Sequence, residues 1–131
     1  MAELTAAIVR QWLQKAESDL LNIRNNLAAE QIPTDTVCFH AQQAIEKLLK
    51  AVLIANGRNA VKTHDLVRLL TDVSGIIPDL QQYEEQMEEI SEYGVAVRYP
   101  DDFYEPSQDE AERAFALALT VEMIVKNALE T

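Results

Sequence analysis

Cys38-Phe39-His40-Ala41-Gln42-Gln43-Ala44-Ile45-Glu46-Lys47-Leu48-Leu49-Lys50 is the stretch whose reading decides the fold. It is the middle of a helix predicted over about residues 35–56. Val37, Ala41, Ile45, Leu48, Val52 and Ala55 recur at spacings of three and four, one apolar face of a 3.6-residue period. Ala44 and Leu49 flank this stripe and permit close helix contact. Gln42, Glu46 and Lys50 make a polar ridge, with Glu N-terminal to Lys, the better order for that pair. Thr34 or Asp35 can accept from free N–H groups at the start, and Asn56-Gly57 supplies a residue that tolerates a left-handed end.

Outward from this run the chain reads as further helices. Ile8, Trp12, Ala16, Asp19, Ile23 and Leu27 form a stripe over about residues 5–28, widened by Leu13 and Leu20 and ended by Pro33. A short helix is predicted over about 64–73, capped by Thr63 and ended by Ser74-Gly75. Pro78 restarts the chain at the first turn of a fourth helix, about 79–97. Its Leu80, Tyr83, Met87, Ile90, Gly94 and Val97 make a narrow seam on an otherwise acidic rod. Residues 98–106 are irregular, with two prolines. Ser107-Gln108-Asp109-Glu110 is a capping box opening a fifth helix, about 108–129, apolar on two sides. Strand signals are absent. The expected fold is all-α: one domain, 1–131, an up-and-down antiparallel bundle of four long helices plus one short helix. The surplus apolar surface of the fifth helix points to a homodimer.

The formal net charge is −11, and its placement matters more than its size. Residues 1–78 hold eight acidic and eight basic residues, whereas 79–113 hold twelve acidic and two basic. Such a field disfavours nonspecific nucleic-acid binding, which depends on phosphate neutralisation. Within 47–68 the balance reverses: Lys47, Lys50, Arg58, Lys62 and Arg68 face only Asp65. That region is either a solvated helix end and loop or a surface for phosphate or an acidic partner. One cysteine, Cys38, excludes an internal disulfide framework and fits a reducing compartment. No signal peptide and no membrane-spanning run is evident, so a soluble cytoplasmic protein is expected.

The 38–50 run is preceded by Trp12-Leu13-Gln14-Lys15-Ala16-Glu17-Ser18-Asp19-Leu20 and followed by Thr63-His64-Asp65-Leu66 and by Arg98-Tyr99-Pro100. In this order, over roughly residues 8–126, the chain resembles the HEPN family of small helical domains, proposed to bind nucleotides or RNA. HEPN proteins of this size are often encoded beside a minimal nucleotidyltransferase and pair with it. The domain also resembles the helical substrate-binding domain of aminoglycoside nucleotidyltransferases. The resemblance thus implies a non-catalytic interaction or substrate- and nucleotide-binding module, with a minimal nucleotidyltransferase and a second copy of the chain as partners. The alternatives are a toxin-type ribonuclease of a toxin–antitoxin pair with a degenerate active site, and a stand-alone nucleotide-binding dimer.

HEPN ribonucleases carry an arginine followed by a histidine after a gap of four to six residues. Arg98 matches the arginine, but Phe103, Tyr104 and Glu105 occupy the histidine positions. Phenylalanine cannot move a proton, and a tyrosine with a pKa near ~10 is a poor base at neutral pH. Glu105 can accept a proton but would be an unorthodox substitute for the histidine, so no catalytic residue is expected. Arg98 offers a planar fork for phosphate or carboxylate, or a charge on a helix end paired with a nearby acid. His40, carried by the family in the same run, either lines a groove with Gln43 and Lys47 or is a hydrogen-bonded interface histidine. His64 reads as a packing or capping residue. Arg98, Lys47, Lys50, His40 and Gln43 are the candidate ligand or phosphate contacts. No metal site and no cofactor is expected: the two histidines have no cysteine partner of suitable spacing, and Asp101, Asp102, Glu105 and Asp109 fit no calcium-loop pattern.

Overall fold

A computed structural model describes residues 2–94 and 104–130, and among them every regular element is helical. Helix α1 spans Glu3–Leu27, α2 Thr34–Ala55, α3 Leu66–Ser74, α4 Glu84–Ser91 and α5 Gln108–Leu129. The all-α fold read from the periodicities is the fold observed.

Helix α2 is the centre of the molecule and packs against α1, α3 and α5. Its stripe residues Val37, Ala41, Ile45, Leu48 and Val52 are fully buried with Leu20 and Ile23 of α1 and Ala118 and Val121 of α5. Helices α1 and α2 run antiparallel, since Asp19 meets both His40 and Lys47 while Trp12 lies against Lys50. Helix α5 runs antiparallel to α1, with Arg24 over the Phe115 ring and Lys126 paired to Glu17.

The ends of α2 and α3 show local chemistry acting. Gly57 has φ 75°, Gly57 N–H donates to the Ile54 carbonyl and Arg58 N–H to Leu53. These two bonds make the Schellman arrangement, and the left-handed turn is why Gly follows Asn56. The link beyond it doubles back along α2, so His64 reaches Glu46 while Arg58 Nη1 donates to the Asp72 carbonyl. Helix α3 consequently runs beside α2 in the same direction. Its cap is Asp65, not Thr63. The Asp65 carboxylate accepts from Val67 and Arg68 N–H, and Thr63 Oγ1 accepts from Asp65 N–H one step earlier. A carboxylate reaches the second and third free amides of the helix and complements its dipole, so the helix starts at Leu66.

The fourth helix is shorter than the sequence implied. A 3-10 segment at Pro78–Tyr83 leads into α4, and a second at Glu92–Gly94 follows it. The like-charged pairs Glu84 with Glu88 and Glu85 with Glu89 lie inside the part that stays α-helical, and the tighter 3-10 turns are confined to its two ends, where such turns are common. The seam is nonetheless used: Leu80, Met87 and Ile90 are buried in the core. Ser91 ties the rod to α3, its Oγ accepting from Leu66 N–H and donating to the His64 carbonyl. Ser107 caps α5 by accepting from Glu110 N–H. Val97 of the seam lies outside the described residues.

Candidate functional site

Between residues 37 and 53, α2 keeps partial exposure only at Phe39, His40, Gln43 and Lys47. These positions share one side of the helix, because spacings of three and four return to the same face. Three of them are candidates read from the sequence, and the fold brings all three to one accessible strip.

The strip is organised by two buried carboxylates. Asp19, 6% exposed, accepts from His40 Nδ1 at 2.8 Å and from Lys47 Nζ at 2.6 Å. An ionised carboxylate only accepts, so Nδ1 carries the proton and the imidazole tautomer is fixed. Phe39 meets the His40 ring edge-on at 5.4 Å. The second carboxylate is Glu46, 4% exposed. It accepts from Lys50 Nζ at 3.0 Å, His64 Nδ1 at 2.8 Å and Gln42 Nε2 at 3.2 Å. Burial pushes the Glu46 pKa up, but the bonds from His64, Lys50 and Gln42 together outweigh it and hold the group below its usual value.

These two centres divide the candidates. His40 and Lys47 meet on Asp19. Lys50 belongs to Glu46 and lies over the Trp12 ring at 5.7 Å. It is 8% exposed, buried where an open polar side was expected. Gln43 Nε2 donates to Gln42 Oε1 at 2.6 Å and so joins the Glu46 centre, not His40. His64 is no cap: its ring, 70% exposed, clasps Glu46, and its carbonyl accepts from Gln42 Nε2 at 2.9 Å. Arg98, Tyr99 and Phe103 lie outside the described residues. Glu105 is exposed.

A different site lies between α4 and α5. A cleft of about 690 Å³ is lined by Glu85, Glu88, Glu89, Ile90, Tyr104 and Leu117, among others. At its edge Tyr93 and Tyr104 donate to the two oxygens of Glu110, at 2.8 and 2.5 Å. The bond from Tyr104, then that from Tyr93, lowers the Glu110 pKa. The same bond raises that of Tyr104, while burial first and the bond to Glu110 second raise that of Tyr93. Behind Tyr93, burial pushes the Cys38 thiol up to about 11, which leaves it protonated and inert at neutral pH.

Asp19 and Glu46 were missing from the candidates. The signal for Asp19 was present: a carboxylate in the apolar stripe of α1 must be paired when buried. The Tyr93–Glu110–Tyr104 contact joins positions with no common sequence period, and only the fold reveals it. Among the described residues no group of three or more His, Cys, Asp or Glu is placed to hold a metal ion, and no helix is long and apolar enough to cross a membrane.

The HEPN domain family model matches residues 9–128, and the chain belongs to this family. The crystal structure of TT1696 from Thermus thermophilus is similar, with a TM-score of 0.78 and 27% sequence identity, covering 92% of this chain and 97% of that one. No curated protein matches the chain.

Proposed function

We propose that this HEPN domain is a non-catalytic binding module that associates with nucleotide or RNA and acts with a partner of the minimal nucleotidyltransferase type. The observation that carries this reading is the lack of a histidine at the positions that follow Arg98. His40 and His64 are the chain's only two, and each gives its Nδ1 to a buried carboxylate. The family's ribonucleases use a histidine shortly after the arginine that Arg98 matches. Here those positions hold Phe103, Tyr104 and Glu105, and the Tyr104 hydroxyl is bound to Glu110 with its pKa raised. A group so held is a poor proton acceptor at neutral pH. The test is incubation of the pure protein with single-stranded and structured RNA. No cleavage is expected. Cleavage that disappears in Arg98→Ala overturns the non-catalytic reading.

The module works as a two-fold dimer on this reading. Helix α5 buries Ala114, Ala118, Val121 and Val125 against α2, yet leaves Met123 58% exposed and Phe115, Leu119 and Ile124 half-buried. Leu21 of neighbouring α1 is 56% exposed. Sedimentation at micromolar concentration is expected to give twice the 14.7 kDa chain mass. Anionic ligands are placed on the α2 strip and at Arg98, away from α4. A Lys47→Ala/Arg98→Ala double variant is expected to weaken ATP binding at least ~tenfold, since charged hydrogen bonds contribute about 1.5–3 kcal/mol each. Unchanged affinity removes the strip from the site.

A further inference from the structure

Two side chains on the α2 strip have their orientation set from inside the protein. The buried Asp19 accepts from His40 Nδ1 at 2.8 Å. With the proton on Nδ1, the neutral ring keeps a lone pair on Nε2, on the side of the ring turned away from the carboxylate. The second orientation starts at Glu46. Gln42, fully buried, gives its Nε2 to the Glu46 carboxylate at 3.2 Å and to the His64 carbonyl at 2.9 Å, two groups that only accept. Its Oε1 therefore accepts, and Gln43 Nε2 donates to it at 2.6 Å. This leaves Gln43 Oε1 as a second acceptor. Among the described residues neither His40 Nε2 nor Gln43 Oε1 has a hydrogen-bond partner, and the only buried side-chain nitrogen or oxygen left unpaired is Thr34 Oγ1. Both acceptors are thus open to solvent.

An acceptor recognises a donor, so these two atoms do not bind phosphate, whose oxygens also accept. They suit hydroxyl groups. They are borne three residues apart, neighbours on one helix face, and so can meet two hydroxyls on adjacent carbons. Lys47 lies one turn beyond Gln43. Its ammonium has three N–H donors, and among the described residues only Asp19 takes one, at 2.6 Å, which leaves two for an anion beside the hydroxyls. The Phe39 ring, half-buried beside His40 with ring centres 5.4 Å apart, offers an apolar contact for a flat ring. A vicinal diol, an anion and a flat ring in one molecule describe a ribonucleotide. Inorganic phosphate would use Lys47 alone, and a deoxyribonucleotide would leave one acceptor unmatched.

We infer that His40 and Gln43 accept hydrogen bonds from the ribose 2′- and 3′-hydroxyls of a bound ribonucleotide, with Asp19 and Gln42 as positioning residues. The inference rests on the nucleotide-binding reading and names the part of the ligand that the strip reads. The test is calorimetric titration of the full chain with ATP, 2′-deoxy-ATP and 3′-deoxy-ATP. ATP is expected to bind about threefold to tenfold more tightly than either analogue, the worth of one hydrogen bond. His40→Asn keeps an amide donor for Asp19 but has no acceptor in the place of Nε2. It should bind ATP and one of the analogues equally and still discriminate against the other, and Gln43→Ala should show the complementary pattern, because removing either partner of one pair costs the same as removing both. Variants that weaken all three ligands in parallel, with their ratios unchanged, overturn the inference by showing a merely structural role. Equal binding of the three ligands by wild type overturns it while the nucleotide-binding reading stands. No binding of ATP overturns both. The terminal ribose of RNA carries the same diol, so a short RNA with a free 3′ end is compared with its 3′-phosphorylated form. Selection of the free end supports the inference with an RNA terminus as the source of the diol, and selection of ATP with no preference between the two RNAs supports it with a free nucleotide.

Discussion

The buried carboxylates of α1 and α2 and the exposed ones of α4 have the same chemistry in opposite settings. Asp19 and Glu46 are each held by one lysine and one histidine, and both are nearly inaccessible. Glu85, Glu88 and Glu89 lie in water with no ion-pair partner among the described residues. Removing a charge from water is costly unless donors replace the water, so the buried pair had to be matched residue by residue. Water supplies that service on α4, and no such matching is imposed. The first region is therefore read as architecture: it fixes α1 and the 56–65 link onto α2. The second is surface that the fold leaves to solvent.

The largest expected effect comes from breaking the first region at its deepest point. Glu46→Ala leaves Lys50 buried without a counter-charge, a loss of about 3–5 kcal/mol. Urea denaturation measures it, and a change below ~1 kcal/mol would erase the contrast between the two regions. A Glu46→Gln/Lys50→Met variant, which removes both charges and keeps volume, is expected to recover most of the loss. The pH dependence has a defined sign. The folded pKa of Glu46 is lowered from 4.5, so its stabilisation is present above that unfolded value and disappears as pH falls through the lower folded value. Acid titration of the wild type should show this acid-side loss, and the double variant should show less of it.

Asp19 is expected to rank second. His40 and Lys47 are 23% and 21% exposed, so water partly replaces the carboxylate when Asp19→Ala removes it. The expected loss is about 1.5–3 kcal/mol. A double-mutant cycle with Lys47→Met isolates the pair, and a coupling near zero would assign the loss to His40 instead. Asp65 is a carboxylate in a third setting, exposed but bonded to two amides of α3. Asp65→Ala is expected to lose ~1 kcal/mol, the usual worth of such a cap. Asp65→Ser should lose less, and equal losses would mean that the dipole, rather than the hydrogen bonds, sets the value.

These rankings also show what the amino-acid pattern made legible. Apolar spacing in α1, α2 and α5 is dictated by the core, so the helices and the all-α fold could be read directly. The Glu46–Lys50 pair was legible because it lies within one helix turn. Asp19 with His40 and Lys47, and Glu46 with His64, join residues 18 to 28 positions apart, and no local rule specifies such distances. Lys50 was misjudged as open for the same reason: the burial of a polar ridge depends on what packs over it, here Trp12 and the returning link. The α4 rod reads as one long α-helix because its seam has a regular period, and spacings of three and four do not separate α-turns from the 3-10 turns at its two ends.

The smallest expected effect has the opposite sign and is the sharpest form of the comparison. Glu88 has Glu84 and Glu92 one turn away on either side and Glu85 three residues before it, all acidic and all exposed. Glu88→Lys turns repulsion into attraction along the rod, and a lysine four residues after Glu84 is the favourable order for such a pair. At roughly 0.2–0.5 kcal/mol per pair, the variant should be more stable than wild type by about 0.5 kcal/mol at low salt. The gain should fade near 1 M salt, where the Debye length is about 3 Å, while the loss in Glu46→Ala should persist because buried charges are screened little. A gain in stability here, beside a loss at Glu46, separates a carboxylate the fold does not use from one that holds it together. Were Glu88→Lys instead to destabilise the protein, the α4 carboxylates would be making intramolecular contacts, and the division between the two regions would fail at that helix.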